Sequence, residues 1–210
     1  MKSVNEVIVT YHNRQVGTLS MTPDNRLCAF QYDKEWLANG FSISPLDLPL
    51  KTDLFIAKPE PFWGNFGIFE DSLPDGYGRF LLHRLLKKRG VNDQELTPLK
   101  RLSIVGTLGM GALCYIPETC MGTVQLLPEP DDLQQMALDV LSEKSDQNDE
   151  ILYFNSGNSG GCHPKCLFRD AEGSWLIKFR HTYDPQDMGV MEYRYNTIAR
   201  LCGITVPDFK

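Results

Sequence analysis

The chain has 210 residues, of which 42% are hydrophobic and 23% charged, with a formal net charge of −6. That composition belongs to a globular protein able to build a packed core, as one large domain or two small ones. The acidic balance excludes a broad, sequence-independent nucleic-acid surface and leaves room only for a local basic patch.

No apolar run approaches the roughly 18 residues that a membrane-spanning helix requires. The opening MKSVNEVIVTYHNRQ has neither a long apolar stretch nor a small-residue cleavage site, so a signal peptide is not expected and the expected compartment is the cytoplasm. Residues 5–33 read as a three-stranded meander: EVIVTYH alternates, HNRQ turns, VGTLSM continues, PDN turns again, and RLCAFQY follows. DKEWLANG predicts a short helix stopped by Gly40, and FSISPLDLPLK is extended and broken by prolines. PFWGNFGIFEDS, rich in glycine and aromatics, reads as a packed loop.

LPDGYGRFLLHRLLKKRG predicts a helix capped by Asp75, with Phe80, Leu81, Leu82, Leu85 and Leu86 as its apolar stripe. Lys87, Lys88 and Arg89 complement the helix dipole at its C-terminal end before Gly90 stops it; a nucleic-acid contact is the minor reading of the same cluster. TPLKRLSIVG predicts a second helix, and GMGALCYIP a strand entered through glycines. From 128 to 150 the sequence turns acidic and loses glycine. Leu133, Met136, Ala137, Val140 and Leu141 mark a surface helix, and a polar tether follows it. The predicted domain boundary lies here, dividing residues 1–122, a linker over 123–150, and residues 151–210. ILYF then leads into a run of small residues and the predicted hairpin KCLFR–DAEG–SWLIKFR. The link HTYDPQ precedes a helix, DMGVMEYRYNTIARLCG, with Met191, Tyr195, Ile198 and Cys202 on one face, and GITVPDFK reads as the start of another strand.

The six cysteines are Cys28, Cys114, Cys120, Cys162, Cys166 and Cys202. Cys162 and Cys166 flank His163, but a zinc site ordinarily takes two such ligand pairs, so the expectation is free, mostly packed thiols and no metal site. The small-residue run NSGNSGG carries more. A loop that wraps phosphate needs inward backbone N–H groups and no obstructing side chains. Gly157, Gly160 and Gly161 meet that need, and Ser156, Asn158 and Ser159 add polar groups. A glycine-rich loop alone is equally a flexible corner.

The strand after it sharpens the choice. Alternation puts Trp175, Ile177 and Phe179 on a core face, with Leu176 and Lys178 on the other. A lone strand lysine is usually only solvated. Here it shares a face with an apolar neighbour on the hairpin after the glycine loop, as does the kinase lysine that grips nucleotide phosphates beside the base. Lys165, at the loop's end, is a second cation for the same phosphates. Glu192, inside the next predicted helix, is the candidate carboxylate to hold Lys178, although it reads equally as a surface residue. The loop is neither the G-x-G-x-x-G of common protein kinases nor a Walker A loop.

Several stretches together resemble the HipA family of bacterial type II toxin–antitoxin serine/threonine kinases. LPDGYGRFLLHRLL resembles the family's LPD-x-x-G-R helix start, and RLSIVGTLGMGALCYIPE its stretch leading to a G-A-L strand. NSGNSGGCHPKCLF resembles the GGARPK form of its phosphate loop, with Cys162 and His163 in place of Ala and Arg. SWLIKFR resembles the nucleotide-lysine strand, and GITVPDF the segment before the hinge.

The resemblance implies a cytoplasmic kinase that binds ATP with Mg²⁺, phosphorylates a translation-related protein, and is controlled by a HipB-like helix-turn-helix antitoxin that alone contacts operator DNA. It also implies loop autophosphorylation, for which Ser156 and Ser159 are the candidates. The expected fold is α+β: a β-rich N-terminal subdomain, then a small kinase-like N-lobe of hairpin plus helix, with the C-terminal catalytic lobe absent. Catalytic and Mg²⁺-binding residues would then lie outside these residues, on a split gene product or a removed segment. The chain alone is expected to be inactive.

Two other functions stay open. The chain can be a non-enzymatic binding module that regulates a separate toxin kinase or antitoxin. More weakly, Lys87–Arg89 with Lys100–Arg101 can touch DNA directly.

Overall fold

A computed structural model describes residues 4–119, 128–144, 147–156, 160–169 and 171–210. The fold is mixed α+β, and the chain divides into two compact units, Met1–Thr123 with Gly157–Gly160, and Val124–Ser156 with Gly161–Lys210.

The first unit is built on an antiparallel five-stranded sheet. The meander comprises β1 (Glu6–Tyr11), β2 (Arg14–Met21) and β3 (Cys28–Tyr32), and the spatial order is β4-β3-β2-β1-β5. The β1–β2 turn places His12 and Asn13 at φ 47° and 63°, the positive pair that matches the right-handed twist of a hairpin. Alternation then dictates which side chains face inward: Val7 pairs with Leu19, and both are fully buried with Val9 and Val16. A bulge between Val9 and Thr10 resets the register toward the turn.

Helix α1 (Lys34–Asn39) starts where the Asp33 carboxylate accepts the N–H groups of Glu35 and Trp36, which seats the Trp36 ring in the core. Strand β4 (Phe55–Ile56) closes one edge of the sheet. Tyr32 ties down the proline-broken segment, donating to the Leu48 carbonyl at 2.6 Å and accepting from Ile43 N–H at 3.1 Å. The aromatic stretch after it is not all loop. It contains a one-turn helix, α2 (Gly67–Glu70), which buries Phe69 against Phe30.

Helix α3 (Gly76–Lys88) has the expected stripe with one change. Leu81, Leu82, Leu85 and Leu86 are buried together with Tyr77, whereas Phe80 is only partly buried and lies under the Arg84 guanidinium. Asp75 occupies the N-cap position, but its side chain makes no capping bond. Gly90 follows the helix at φ +67°, the left-handed geometry of a helix stop. A 3₁₀ turn (Asp93–Glu95) leads to α4 (Pro98–Val105), capped by Thr97, and then to β5 (Leu113–Ile116), which pairs with β1. Leu99, Leu102 and Tyr115 complete the core from this side.

The second unit has its own small core. Helix α5 (Pro130–Leu141) buries Leu133, Ala137 and Val140 against α6 (Asp149–Ser156), and α6 in turn packs on β6 (Lys165–Arg169). The polar tether of the sequence reading therefore stops at Asp149. ILYF is the middle of a helix rather than a lead into the loop. Strand β7 (Ser174–Lys178) pairs antiparallel with β6, and helix α7 (Met188–Leu201) follows.

One expectation at this end is corrected. GITVPDFK forms no strand, and the Arg200 guanidinium bonds the Pro207 carbonyl at 3.0 Å within an irregular segment. The stripe on α7 is a largely exposed face: Tyr195 is 72% and Ile198 57% exposed. No helix of the described residues is long and apolar enough to cross a membrane.

Candidate functional site

The hairpin β6–β7 sets up the site by register. Lys165 pairs with Lys178 and Leu167 with Leu176, so two ammonium groups and two leucines share one face. Cys166 and Ile177 pair on the other face, where Cys166 is fully buried and its thiol is pushed up to about 12 by that burial. Trp175 and Ile177 are partly buried and Phe179 is buried, while Leu176 and Lys178 are exposed, the alternation that the sequence implies.

Lysines directly opposite across a ladder repel, which makes an anion on this face favourable. Helix α7 supplies one. The Lys178 ammonium donates to both carboxylate oxygens of Glu192, at 3.1 and 3.4 Å. Both side chains are half exposed, so the pair contributes little to folding and is open to a further ligand.

Lys165 behaves differently. It is only 6% exposed, and its Nζ lies where a Cβ on residue 161 would come within 3.0 Å of it. Gly161 also has φ +98°, a backbone conformation in which any side chain is strained. Lys165 is thus tucked beneath the turn that enters β6, not extended from its end.

The remaining loop residues separate. Ser156 is not in the loop: it is the last residue of α6, 1% exposed, with its hydroxyl donating to the Tyr153 carbonyl at 3.1 Å. Gly157, Asn158 and Ser159 lie outside the described residues. Gly160 groups with the first unit, where a Cβ on it would lie 3.4 Å from Asp75 Oδ2. The second unit therefore brings together Gly161, Lys165, Leu176, Lys178 and Glu192.

One contact had no signal in the sequence. His163 Nε2 lies 3.0 Å from Asp184 Oδ2, in the link between β7 and α7. Asp184 reads as an ordinary residue of a polar link, and only the fold carries it back to the turn before β6.

The chemistry of this donor set fits a polyphosphate with an attached flat apolar group. It offers the exposed Lys178 ammonium, the glycine at position 161 and the exposed Leu176 side chain. Among the described residues no three His, Cys, Asp or Glu side chains converge to hold a metal ion, so no metal-borne step is assigned to them. Of the described cysteines, all unpaired, Cys28 and Cys166 are buried, Cys114 is partly buried, and Cys162 and Cys202 are exposed. The basic clusters of the first unit are dispersed in use. Arg101 donates to the Asp93 carbonyl at 3.0 Å, while Lys87, Lys88 and Arg89 are exposed at the end of α3.

A family model described as the HipA N-terminal domain matches residues 7–116, just over half of the chain. Among solved structures, the chain is similar to one of the Shewanella oneidensis MR-1 toxin–antitoxin system of HipA, HipB and its operator DNA. That likeness has a TM-score of 0.60 at 19% identity and covers 97% of this chain and 47% of the other, so the chain spans about half of its neighbour's length. No curated protein matches the chain. With the sheet and helices of the first unit falling inside the matched residues, the chain belongs to the HipA family.

Proposed function

We propose that the chain is the nucleotide-gripping half of a HipA-type serine/threonine kinase toxin. In this reading the phosphates of ATP, with their Mg²⁺, sit against Lys178 and the Gly161 turn, and the base lies over Leu176 and Leu167. The ion pair of Lys178 with Glu192 at 3.1 Å is the observation that carries it. A strand lysine held by a carboxylate from the following helix is kept extended and charged, poised beside a bound polyphosphate.

Phosphoryl transfer depends on positioning and on charge neutralisation around the transferred group. The reading gives Lys178 the positioning role and assigns the catalytic carboxylate and Mg²⁺ ligands to residues beyond the matched half of the solved HipA chain. The described residues then supply nucleotide binding. A translation-related protein is the proposed substrate. A HipB-like antitoxin is the proposed partner, as HipB accompanies HipA and operator DNA in the solved complex, and DNA is reached through it.

A second reading has its own support. The family model matches residues 7–116, which lie in the first unit and include none of the hairpin lysines. On this view the chain is a binding module that regulates a separate kinase or antitoxin.

Thermal unfolding with a non-hydrolysable ATP analogue and Mg²⁺ separates the two. A ligand at 100 times its Kd stabilises the native state by about 2.7 kcal/mol. A matching rise in Tm supports the kinase half. An unchanged Tm at millimolar analogue sinks it and favours the binding module.

A further inference from the structure

The indole of Trp63 stands at the side of an open groove in the first unit. The groove has a volume of about 370 Å³ and is lined by Phe62, Trp63, Leu96, Pro98, Arg79 and Arg101, with Glu70 beside them. That volume falls in the range of about 300–1,000 Å³ that ligand sites occupy.

A single apolar side chain at a surface is ordinary. Trp63 differs because it is 73% exposed and yet held on a fixed turn. Its φ is +50°, a left-handed conformation that is uncommon for so large a residue. Its neighbours keep it there. Gly64 O accepts the Cys28 N–H at 2.7 Å, which ties the turn to β3, and Phe62 O accepts the Asn65 N–H at 3.0 Å. Buried Asn65 accepts the Phe66 N–H and donates to Glu70 Oε2, both at 2.9 Å. The turn therefore presents the indole to solvent instead of letting it settle into core.

Two guanidinium groups line the same groove. Arg79 lies one turn into α3, near the positive end of the helix dipole, where a cation gains nothing for the helix. Arg101 comes from α4 and donates to a backbone carbonyl, that of Asp93, at 3.0 Å. Among the described residues neither guanidinium is paired with a carboxylate. The nearby carboxylates are engaged elsewhere: Glu70 Oε2 accepts from Asn65, and Asp93 Oδ2 lies 3.2 Å from His83 Nδ1. A guanidinium has five donors in a planar fork that matches a carboxylate. The groove thus joins spare cationic donors to an aromatic platform, and tryptophan and arginine are the side chains that dominate the centres of protein interfaces.

A nucleic-acid strand would also use an aromatic ring and arginines. The charges favour a peptide. Glu70 lies among the lining residues and the chain carries −6 overall, which repels a strand charged at every phosphate. A peptide can place its few carboxylates on the two arginines and keep them away from Glu70.

We propose that this groove docks an acidic peptide segment of a partner protein, whose carboxylates pair with Arg79 and Arg101 and whose apolar side chain covers the Trp63 indole. Every residue of the site belongs to the first unit, so the site stands independently of the nucleotide reading.

The test is selection of phage-displayed random peptides, about twelve residues long, on the immobilised full chain and in parallel on its Trp63→Ala variant. The strongest selected peptide is synthesised. Its Kd is measured on the wild type, Trp63→Ala, Arg79→Gln and Arg101→Gln at low and at physiological salt. A single-stranded oligothymidylate is titrated into the same proteins. The docking site predicts peptides in which Asp or Glu flanks a large apolar residue, enriched on the wild type and not on Trp63→Ala. It predicts binding about tenfold weaker in Trp63→Ala and in Arg79→Gln, the loss expected at an interface centre, and weaker binding at higher salt.

Trp63 and Arg79 are exposed, so these variants retain the fold, and an unchanged urea midpoint checks it. Arg101→Gln also loses the tie to Asp93, so Arg79→Gln carries the charge test if that variant unfolds. No enriched peptide, neutral or basic peptides, or equal Kd in the wild type, Trp63→Ala and Arg79→Gln overturns the proposal. Oligothymidylate binding that Trp63→Ala abolishes overturns it in favour of nucleic acid.

Discussion

Lys178 draws its meaning from three neighbours, not from its own position on a strand. Lys165 opposes it across the ladder, Leu176 shares its face, and Glu192 reaches it from α7. Because Lys178 and Glu192 are both half exposed, breaking the pair costs folding little, within about 1 kcal/mol. Its effect belongs to binding. Glu192→Gln is expected to leave the urea midpoint nearly unchanged and to weaken nucleotide several-fold. In a double-mutant cycle with Lys178→Ala, the two losses in affinity should not add, because they act through one ammonium group. Additive losses would mean that Glu192 does not position Lys178.

At the scale of elements, capping and burial decide what each piece contributes. Asp33→Ala removes a carboxylate that accepts two backbone N–H groups at the start of α1, and it is expected to cost about 1 kcal/mol in chemical denaturation. Ile198→Ser on α7 is expected to change stability by less than about 0.5 kcal/mol, since that side chain is 57% exposed. A large loss there would show that the apolar face of α7 is covered in solution.

The same contrast shows what was legible in the sequence. β1 to β3 were readable because strict alternation and positive-φ turn residues agree with one another. Helix α6 was not, because four apolar residues between an acidic run and a glycine loop carry no helical period. The α7 stripe was read correctly as a face, but periodicity cannot tell a face that meets core from one that meets water. The Lys178–Glu192 contact was one of two readings, since strand phase and helix order make Glu192 a candidate partner while it reads equally as a surface residue. The His163–Asp184 contact was not among the readings, since it needs the return path of the hairpin. Ser156 was misplaced for the same reason as α6.

Across the whole molecule, each unit buries a thiol and a tyrosine that resist ionisation. Burial pushes Cys28 in the first unit and Cys166 in the second from the ordinary 9.0 up to about 12. Burial likewise raises Tyr115 and Tyr153, one in each unit. Above pH 9 the unfolded chain releases these protons while the folded chain retains them, so the unfolded state binds fewer and stability falls as pH rises. This contribution is complete below about pH 9 and is lost progressively toward pH 12. Chemical denaturation from pH 8 to 11 should therefore show a declining midpoint. Replacing Cys28 and Cys166 together by Ala should flatten the decline, after allowing for the cavity cost, which does not vary with pH. An unchanged slope in that variant would contradict the assignment.

The most direct test of the central claim is calorimetric titration of the 210-residue chain with a non-hydrolysable ATP analogue and Mg²⁺, beside Lys178→Ala. The account predicts one saturable site per chain, weakened at least about tenfold by the substitution, as expected when a charged group that pairs with phosphate is removed. Equal affinity in both proteins, or no binding by the wild type, would contradict it.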